Sequence, residues 1–433
     1  MRTFLLKKLR SVLKTLAKLT LKRYDPKIVG ITGNVGKTSA KVATKYVLSE
    51  KFRVRASAKS FNNELGLPLA ILGDWQKTGG FIFWLKVILS SVFKLVFKSK
   101  SYPEILVLEY GVDHPGDMAY LLDIARPEIG VVTAIGEIPV HIEYFTGKEA
   151  VAREKSKMIN QLPTTGFSIL NADDLTVYKM KEKTRSQVMT FGFTEKSDMK
   201  INTFETNFNE NIKGVTFKLS YGGSFIPVRL DRVLGKARGY TAAIAASVGL
   251  VLGVNLVDIS EALSKIESPP GRMKVIKGIK NTWLIDDTYN ASPLATEAAL
   301  ETLEDINVKR KIAVLGDMLE IGKYTAEAHE KIGDLAEKHL DVLITVGMRG
   351  KFIHESAKDS GMDKENVHHF EKIDEAALFL QDLIKEGDLI LAKASQAVRL
   401  EKVVKEVMAE PDQAKELLVR QNKEWLKKKG SYE

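Results

Sequence analysis

The sequence predicts an α/β protein in two units. A P-loop central domain with a mostly parallel sheet plus a small antiparallel sheet is followed by a Rossmann-like C-terminal α/β domain. Three observations predict this. Short apolar runs alternate with helical stretches on both sides of residue 268. The segment from Lys200 to Arg232 alternates apolar and polar residues between turn glycines (Gly214, Gly222, Gly223). Ser268-Pro269-Pro270-Gly271 is the clearest linker signal in the chain. The boundaries that follow are a basic amphipathic helix over 1–26, the central domain over 27–268 and the C-terminal domain over 269–433.

The elements read in order. Lys27–Thr32 is a buried-type strand, followed by a glycine turn and a helix from Lys37 to Leu48. Glu104–Tyr110, Ile129–Thr133 and Phe167–Leu170 are further strands, and Tyr240–Leu252 is an Ala-rich helix. Beyond the linker, Trp283–Asp287, Lys311–Leu315, Asp341–Val346 and Asp388–Ala392 are strands with helical stretches between them. No internal repeat or low-complexity tract interrupts the pattern.

Composition bounds the function. The 433 residues, 44% hydrophobic and 28% charged, suit a soluble chain of two or three domains. The absence of cysteine removes disulfides and thiolate zinc sites and fits a reducing compartment. Of the net charge of +10, eight Lys or Arg and no acid lie in residues 1–24, so the chain lacks the broad basic face of a nucleic-acid protein. The same stretch carries Phe4, Leu5, Leu6, Leu9, Val12, Leu13, Leu16, Leu19 and Leu21 at helical spacing. Such a helix suits an anionic membrane surface or, equally, packs on the next domain. In Phe81–Phe97 the residues Lys86, Ser90 and Lys94 form one stripe on an otherwise apolar helix, which is short for a span and reads as in-plane or core-buried.

The sharpest chemical signal is Gly30-Ile31-Thr32-Gly33-Asn34-Val35-Gly36-Lys37-Thr38-Ser39. A strand running through a glycine turn into a helix aims free N–H groups and a helix N-terminus at an anion. Lys37 then reaches the outer phosphates and the Thr38 hydroxyl binds Mg²⁺, so Thr32 to Ser39 form the ATP loop. The usual spacing places a glycine where Ile31 stands; Gly30 and Gly33 flank that position. Glu109 ends an apolar strand, and such ends line the crevice of a parallel sheet.

This spaced loop resembles that of the Mur ligase superfamily, which includes the folylpolyglutamate synthetases, and the resemblance runs from Lys27 to Val407. Lys59–Pro68, with Asn62 and Asn63, looks like a substrate-side segment; Leu108-Glu109-Tyr110-Gly111 looks like the strand-end glutamate that holds Mg²⁺. His141-Ile142-Glu143 looks like the segment whose histidine helps hold a second metal. Lys155 matches the family's carbamylated lysine, with Lys157 competing for that position. Asn171-Ala172-Asp173-Asp174, Arg272, Asp287 and Asn290 fall at the nucleotide side. Tyr289-Asn290-Ala291, with Gly316–Gly322 and Ala328-His329-Glu330, is similar to the D-alanyl-D-alanine-adding members rather than their sisters. Three features depart from the pattern. About 26 residues precede the first strand, which leaves recognition of a uridine nucleotide open. Gly235–Thr241 lacks a His-Asn pair. Lys393-Ala394-Ser395-Gln396 replaces Lys-Gly-Ser-Arg, and Lys393 and Ser395 are the substrate contacts the resemblance implies there.

The resemblance implies an ATP-dependent amide-bond ligase of cell-wall precursor synthesis with two Mg²⁺ ions and a carbamylated Lys155. The catalytic set is Lys37, Glu109, His141 and Lys155, and the metal set Thr38, Glu109, His141 and Lys155. The implied protein is a cytoplasmic monomer acting on small-molecule peptide and amino-sugar substrates, without nucleic acid, and with peripheral contact to an anionic membrane. The alternatives are a folylpolyglutamate-type ligase and a membrane-associated P-loop switch.

Overall fold

The computed structural model describes residues 2–57, 60–75, 78–209 and 213–432, with the side chains of 2–5 left aside. The segment Lys59–Pro68 is therefore described from Ser60 onward, and Phe4 and Leu5 of the N-terminal pattern lie outside the described side chains.

Nine strands make the first sheet: β1 Lys27–Thr32, β2 Val54–Ala56, β3 Ile105–Glu109, β4 Ile129–Val132, β5 Phe167–Asn171, β6 Gln187–Gly192, β7 Met199–Phe208, β8 Lys213–Tyr221 and β9 Ser224–Asp231. Their order is β2-β3-β1-β4-β5-β6-β7-β8-β9. Five of the six β1 residues are buried, as the centre of a covered parallel sheet requires. The antiparallel strands expected over 200–232 are β7 to β9. They continue the large sheet rather than forming a separate one, because β7 pairs parallel with β6 through Phe191↔Met199 before pairing antiparallel with β8.

The second sheet has the order β10-β11-β15-β12-β13-β14, from β10 Lys274–Lys277, β11 Trp283–Asp286, β12 Arg310–Gly316, β13 Val342–Val346, β14 Val367–Phe370 and β15 Asp388–Lys393. It is parallel apart from the β10–β11 pair.

Six helices of the first unit matter below: α1 Arg2–Tyr24, α2 Lys37–Ser49, α3 Gly66–Leu72, α4 Phe81–Val96, α5 Asp117–Ile124 and α6 Lys148–Asn160. Small residues let α2 (Ala40, Ala43) pack closely on the Ala-rich helix Ala237–Val251, and both share a core with Val29 and Ile31 of β1. This packing fixes the angle at which α2 leaves the glycine turn.

Of the two readings of the N-terminal helix, packing on the neighbouring domain is realised. Leu13, Leu16, Ala17 and Thr20 are buried, and α1 contacts α3, α4 and α5. Arg10 forms a two-pronged pair with Glu64 (3.1 and 3.0 Å), and Lys14 and Lys18 both meet Asp123 (2.5 and 2.7 Å). Hydrogen bonds from these lysines hold the Asp123 carboxyl down to about 2. Leu13 is fully buried, so Leu13→Ala will destabilise the unit by roughly 2–4 kcal/mol through lost transfer energy and a cavity. Urea unfolding followed by the fluorescence of Trp75 and Trp84 measures the loss.

Candidate active site

The turn after β1 is shaped by sterics. Gly33 has φ +138°, and a Cβ there would lie 2.0 Å from Thr133 Oγ1; Gly36, at φ +85°, caps α2 in the left-handed region. The end of β4 pins the turn. Thr133 Oγ1 donates to the Val35 carbonyl (2.6 Å), and Asn34 donates through its backbone N to Ala134 O (2.7 Å) and through Nδ2 to Ile135 O (3.1 Å). The turn residues from Gly33 to Ser39 line a cavity of about 720 Å³ between the two units.

Lys37 Nζ donates to Gly33 O (2.8 Å) and Asn34 O (3.3 Å). Burial lowers its pKa against the opposing pull of Glu109 and Asp113. Lys155, on α6, donates to the same Gly33 carbonyl at 3.2 Å and is 1% exposed. Its pKa falls well below 10.5, first through burial and then through the charge of Lys37. Lys157 pairs with Glu154 at 2.6 Å and is absent from the cavity wall, so Lys155 is the lysine presented to the turn.

The Glu109 carboxylate is buried at the end of β3. It accepts from Thr38 Oγ1 (3.1 Å) and Asn62 Nδ2 (3.1 Å), and Lys41 Nζ approaches at 3.4 Å. Ser60 Oγ lies 3.1 Å from Thr38 Oγ1 and 3.1 Å from the Tyr289 hydroxyl, which joins the two units across the cavity. His141 makes a second link: Nε2 lies 3.3 Å from Asp113 Oδ1 and Nδ1 3.3 Å from Glu320 Oε2 of the other unit. Burial lowers its pKa, and Asp113 opposes that.

On the far wall the Arg272 guanidinium stacks over the Tyr289 ring, 4.2 Å from its centroid. Lys393 Nζ reaches Asp287 Oδ2 (2.5 Å) and Asn290 O (3.2 Å), and Asn290 Oδ1 accepts from Gln396 N (3.3 Å). Asn171 faces the cavity while its Oδ1 accepts from Asp173 N (2.9 Å). Three sequence candidates do not line the cavity. Thr32 is inside β1 and donates to Tyr110 O, Asn63 holds the start of α3 through Gly66 N (2.9 Å), and Ser395 accepts from Leu319 N (2.9 Å). His329 is likewise structural: its Nε2 accepts from Met318 N (3.0 Å) and fixes the Gly316–Gly322 loop.

Sequence reasoning passed over Lys41, Asp113, Arg238 and Glu320. Lys41 lies one helical turn beyond Lys37, and that spacing was a usable signal. Arg238 is buried, with its pKa lowered to about 10, and donates to Ser268 Oγ (2.6 Å) and to the Arg272 carbonyl, so it holds both ends of the Pro269-Pro270 linker.

No cluster of three or more His, Asp or Glu residues able to hold a metal occurs among the described residues. Mg²⁺ needs no such cage. The hard oxygens of Thr38 and Glu109, side by side at the glycine turn, suit an ion whose other positions go to phosphate and water.

A phosphate-cradling turn, a strand-end glutamate beside its threonine and a second α/β unit facing them across one cavity define a nucleotide-dependent P-loop enzyme. Comparison with known proteins narrows the class. Residues 91–249 match the Mur ligase middle domain and residues 271–396 match the Mur ligase, glutamate ligase domain. The chain is 30% identical over 408 residues to UDP-N-acetylmuramoyl-tripeptide--D-alanyl-D-alanine ligase of Bacillus subtilis, covering 93% of this chain and 80% of that one. It is 28% identical over 386 residues to the Escherichia coli protein of that name, covering 88% and 76%. The crystal structure of MurF ligase from Thermotoga maritima in complex with ADP superposes with a TM-score of 0.75 at 27% identity, over 92% of this chain and 83% of that one. MurF from Acinetobacter baumannii gives 0.75 at 25%, over 91% and 79%. The chain belongs to the Mur ligase family, and it is an enzyme that forms amide bonds with conversion of ATP to ADP and phosphate.

The lowered pKa of Lys155 has a signed consequence. The unfolded chain holds a proton that the folded amine has released, so this group adds stability as pH rises from its folded value toward 10.5. In carbonate-free buffer Lys155→Met will therefore be more stable than the parent at neutral pH, and the gain will shrink at alkaline pH. Urea midpoints across that range test the sign.

Proposed function

We propose that this chain adds D-alanyl-D-alanine to a muramoyl-peptide acceptor in cell-wall precursor synthesis, through an acyl phosphate. The observation that carries the reading is the convergence of Lys37, Thr38, Glu109 and Lys155 on one glycine turn, opposite Arg272 and Asn290. The named relatives, and the Tyr289-Asn290-Ala291 sequence on the far wall, support the dipeptide over a folylpolyglutamate-type substrate. A simple P-loop switch would leave a buried Lys155 and the second unit without a task.

A carboxylate is a poor electrophile because its leaving group is oxide. Transfer of the γ-phosphoryl group to a carboxylate oxygen solves this, and attack by the incoming amine then releases phosphate and one proton. Residues 33–39 bind the triphosphate through backbone N–H groups, and Lys37 answers charge developing on its outer oxygens. Thr38 and Glu109 would hold one Mg²⁺ and His141 with carbamylated Lys155 a second, supplying positive charge against the phosphates and the acceptor carboxylate. Lys155 is suited to carbamylation because burial favours the neutral amine that attacks CO₂. Lys41 and Asn62 orient the Glu109 carboxylate. Residues 27–268 act as the ATP-binding domain, and residues 269–433 close on it about Gly271 to exclude water from the acyl phosphate. Arg272, Asp287 and Asn290 meet the nucleotide from that side. In this reading the enzyme is a cytoplasmic monomer with peripheral contact to the membrane.

Phosphate release will require ATP, UDP-N-acetylmuramoyl-tripeptide and D-alanyl-D-alanine together; release with glutamate and a folate acceptor instead would sink the reading. Lys155→Arg cannot form the carbamate and puts a fixed positive charge where the reading needs that anion, so kcat will fall by roughly 100-fold or more while nucleotide binding, measured by calorimetry, changes little.

A further inference from the structure

Helix α4 is inverted for a helix on a protein surface. Its buried residues are Val87 and Ser91, and Ser91 satisfies itself by donating to Val87 O (2.7 Å). Lys94 turns back to donate to Leu72 O (3.2 Å). Of the stripe Lys86, Ser90, Lys94 only Lys86 is exposed, so the stripe is not the main solvent face. The outer face is Phe81, Ile82, Leu85, Leu89, Val92, Phe93 and Val96, continued by Phe97, and six of these eight are at least 60% exposed. Lys86 is the one charged side chain among the exposed residues of α4. A contiguous apolar face of this kind marks an interaction surface.

The charge around it says which partner fits. Residues 78–103 contain four lysines (Lys86, Lys94, Lys98, Lys100) and no acid, and residues 1–24 add eight Lys or Arg, of which Arg10, Lys14 and Lys18 are paired with Glu64 and Asp123. The second set lies on α1, which packs directly on α4; Tyr24 OH donates to Lys94 O (2.8 Å) and accepts from Ser99 N (3.0 Å). Lys7, Lys18, Lys22 and Arg23 are exposed on α1. A second copy of the chain would bring two such cationic sets together, whereas an anionic headgroup layer neutralises them. No helix among the described residues is long and apolar enough to cross a membrane.

We propose that the outer face of α4, framed by the basic residues of α1, is a docking surface for an anionic lipid bilayer, with α4 lying in the plane of the interface. The apolar side chains enter the acyl boundary while the lysines reach phosphate at the headgroup level. No residue of α4 lines the ATP cavity, so attachment is read without turnover and stands or falls apart from the ligase reading.

The test is flotation of the full-length chain with vesicles of phosphatidylcholine alone or mixed with phosphatidylglycerol. Binding to the mixed vesicles is expected to exceed binding to the neutral ones by at least about tenfold and to weaken in high salt. Leu89→Ser, Phe93→Ser and Phe97→Ser combined will lower it by at least about tenfold. Lys7→Gln, Lys22→Gln and Arg23→Gln combined change no apolar residue and will lower only the phosphatidylglycerol-dependent part. Failure of the parent chain to float would overturn the proposal, as would undiminished binding by the serine variant. A parent dimer that the serine substitutions convert to monomer, without vesicle binding, would assign the face to a second copy and overturn it too.

Discussion

Two lysine amines meet on one carbonyl oxygen. Lys37 and Lys155 both donate to Gly33 O in a space where burial depresses the pKa of each, and the charge of Lys37 depresses that of Lys155 further. In water such a pair would separate. Here the glycine turn, held by Thr133 and Asn34, and the fixed exit angle of α2 and α6 keep them together. The arrangement favours an anionic guest, whose charge supports the protonated form of Lys37, and the Lys41–Glu109 pair behind it holds a carboxylate within reach of the same guest.

At the cavity the two units meet through polar contacts, beside a buried apolar cluster that Ile142, Val151 and Leu234 of the first unit share with Leu300, Met318 and Ile321 of the second. Ser60 meets Tyr289, His141 meets Glu320, and Arg238 ties Ser268 to Arg272. Contacts of this kind exchange readily with water, which suits an enclosure that must open to admit and release substrates. Each sheet also has its own apolar core, and the ion pair Lys393–Asp287 stiffens the far wall from within the second unit.

The parts of this site that were readable in the sequence are those where local chain geometry sets the chemistry. The strand, Gly33, Gly36, Lys37 and Thr38 lie within one turn, and Glu109 is a strand end whose position follows from parallel pairing with β1. The choice between Lys155 and Lys157 was not readable, although residues two apart on a helix point roughly 200° away from each other and only one can face the turn. The carboxylates Asp113 and Glu320 around His141 come from distant segments, and no spacing rule brings them there. Asn63 and Ser395 were read as substrate contacts beside true lining residues, but their side chains satisfy backbone N–H groups at the start of α3 and in the Met318–Leu319 loop. Strands β2, β6, β10 and β14 went unread; β2, β10 and β14 have only three or four residues, two of them histidines in β14, which gives too little periodicity.

The two-pronged Arg10–Glu64 pair gives the first helix a part in the chemistry. Glu64 stands two residues beyond Asn62, whose amide steadies the Glu109 carboxylate, and Asn63 anchors the same loop to α3. The amino-terminal rod is thus a splint for the loop that aims the acid. A chain trimmed of it would lose alignment at the reaction centre even in free solution, so attachment to a surface and the poise of the carboxylate share one mechanical member.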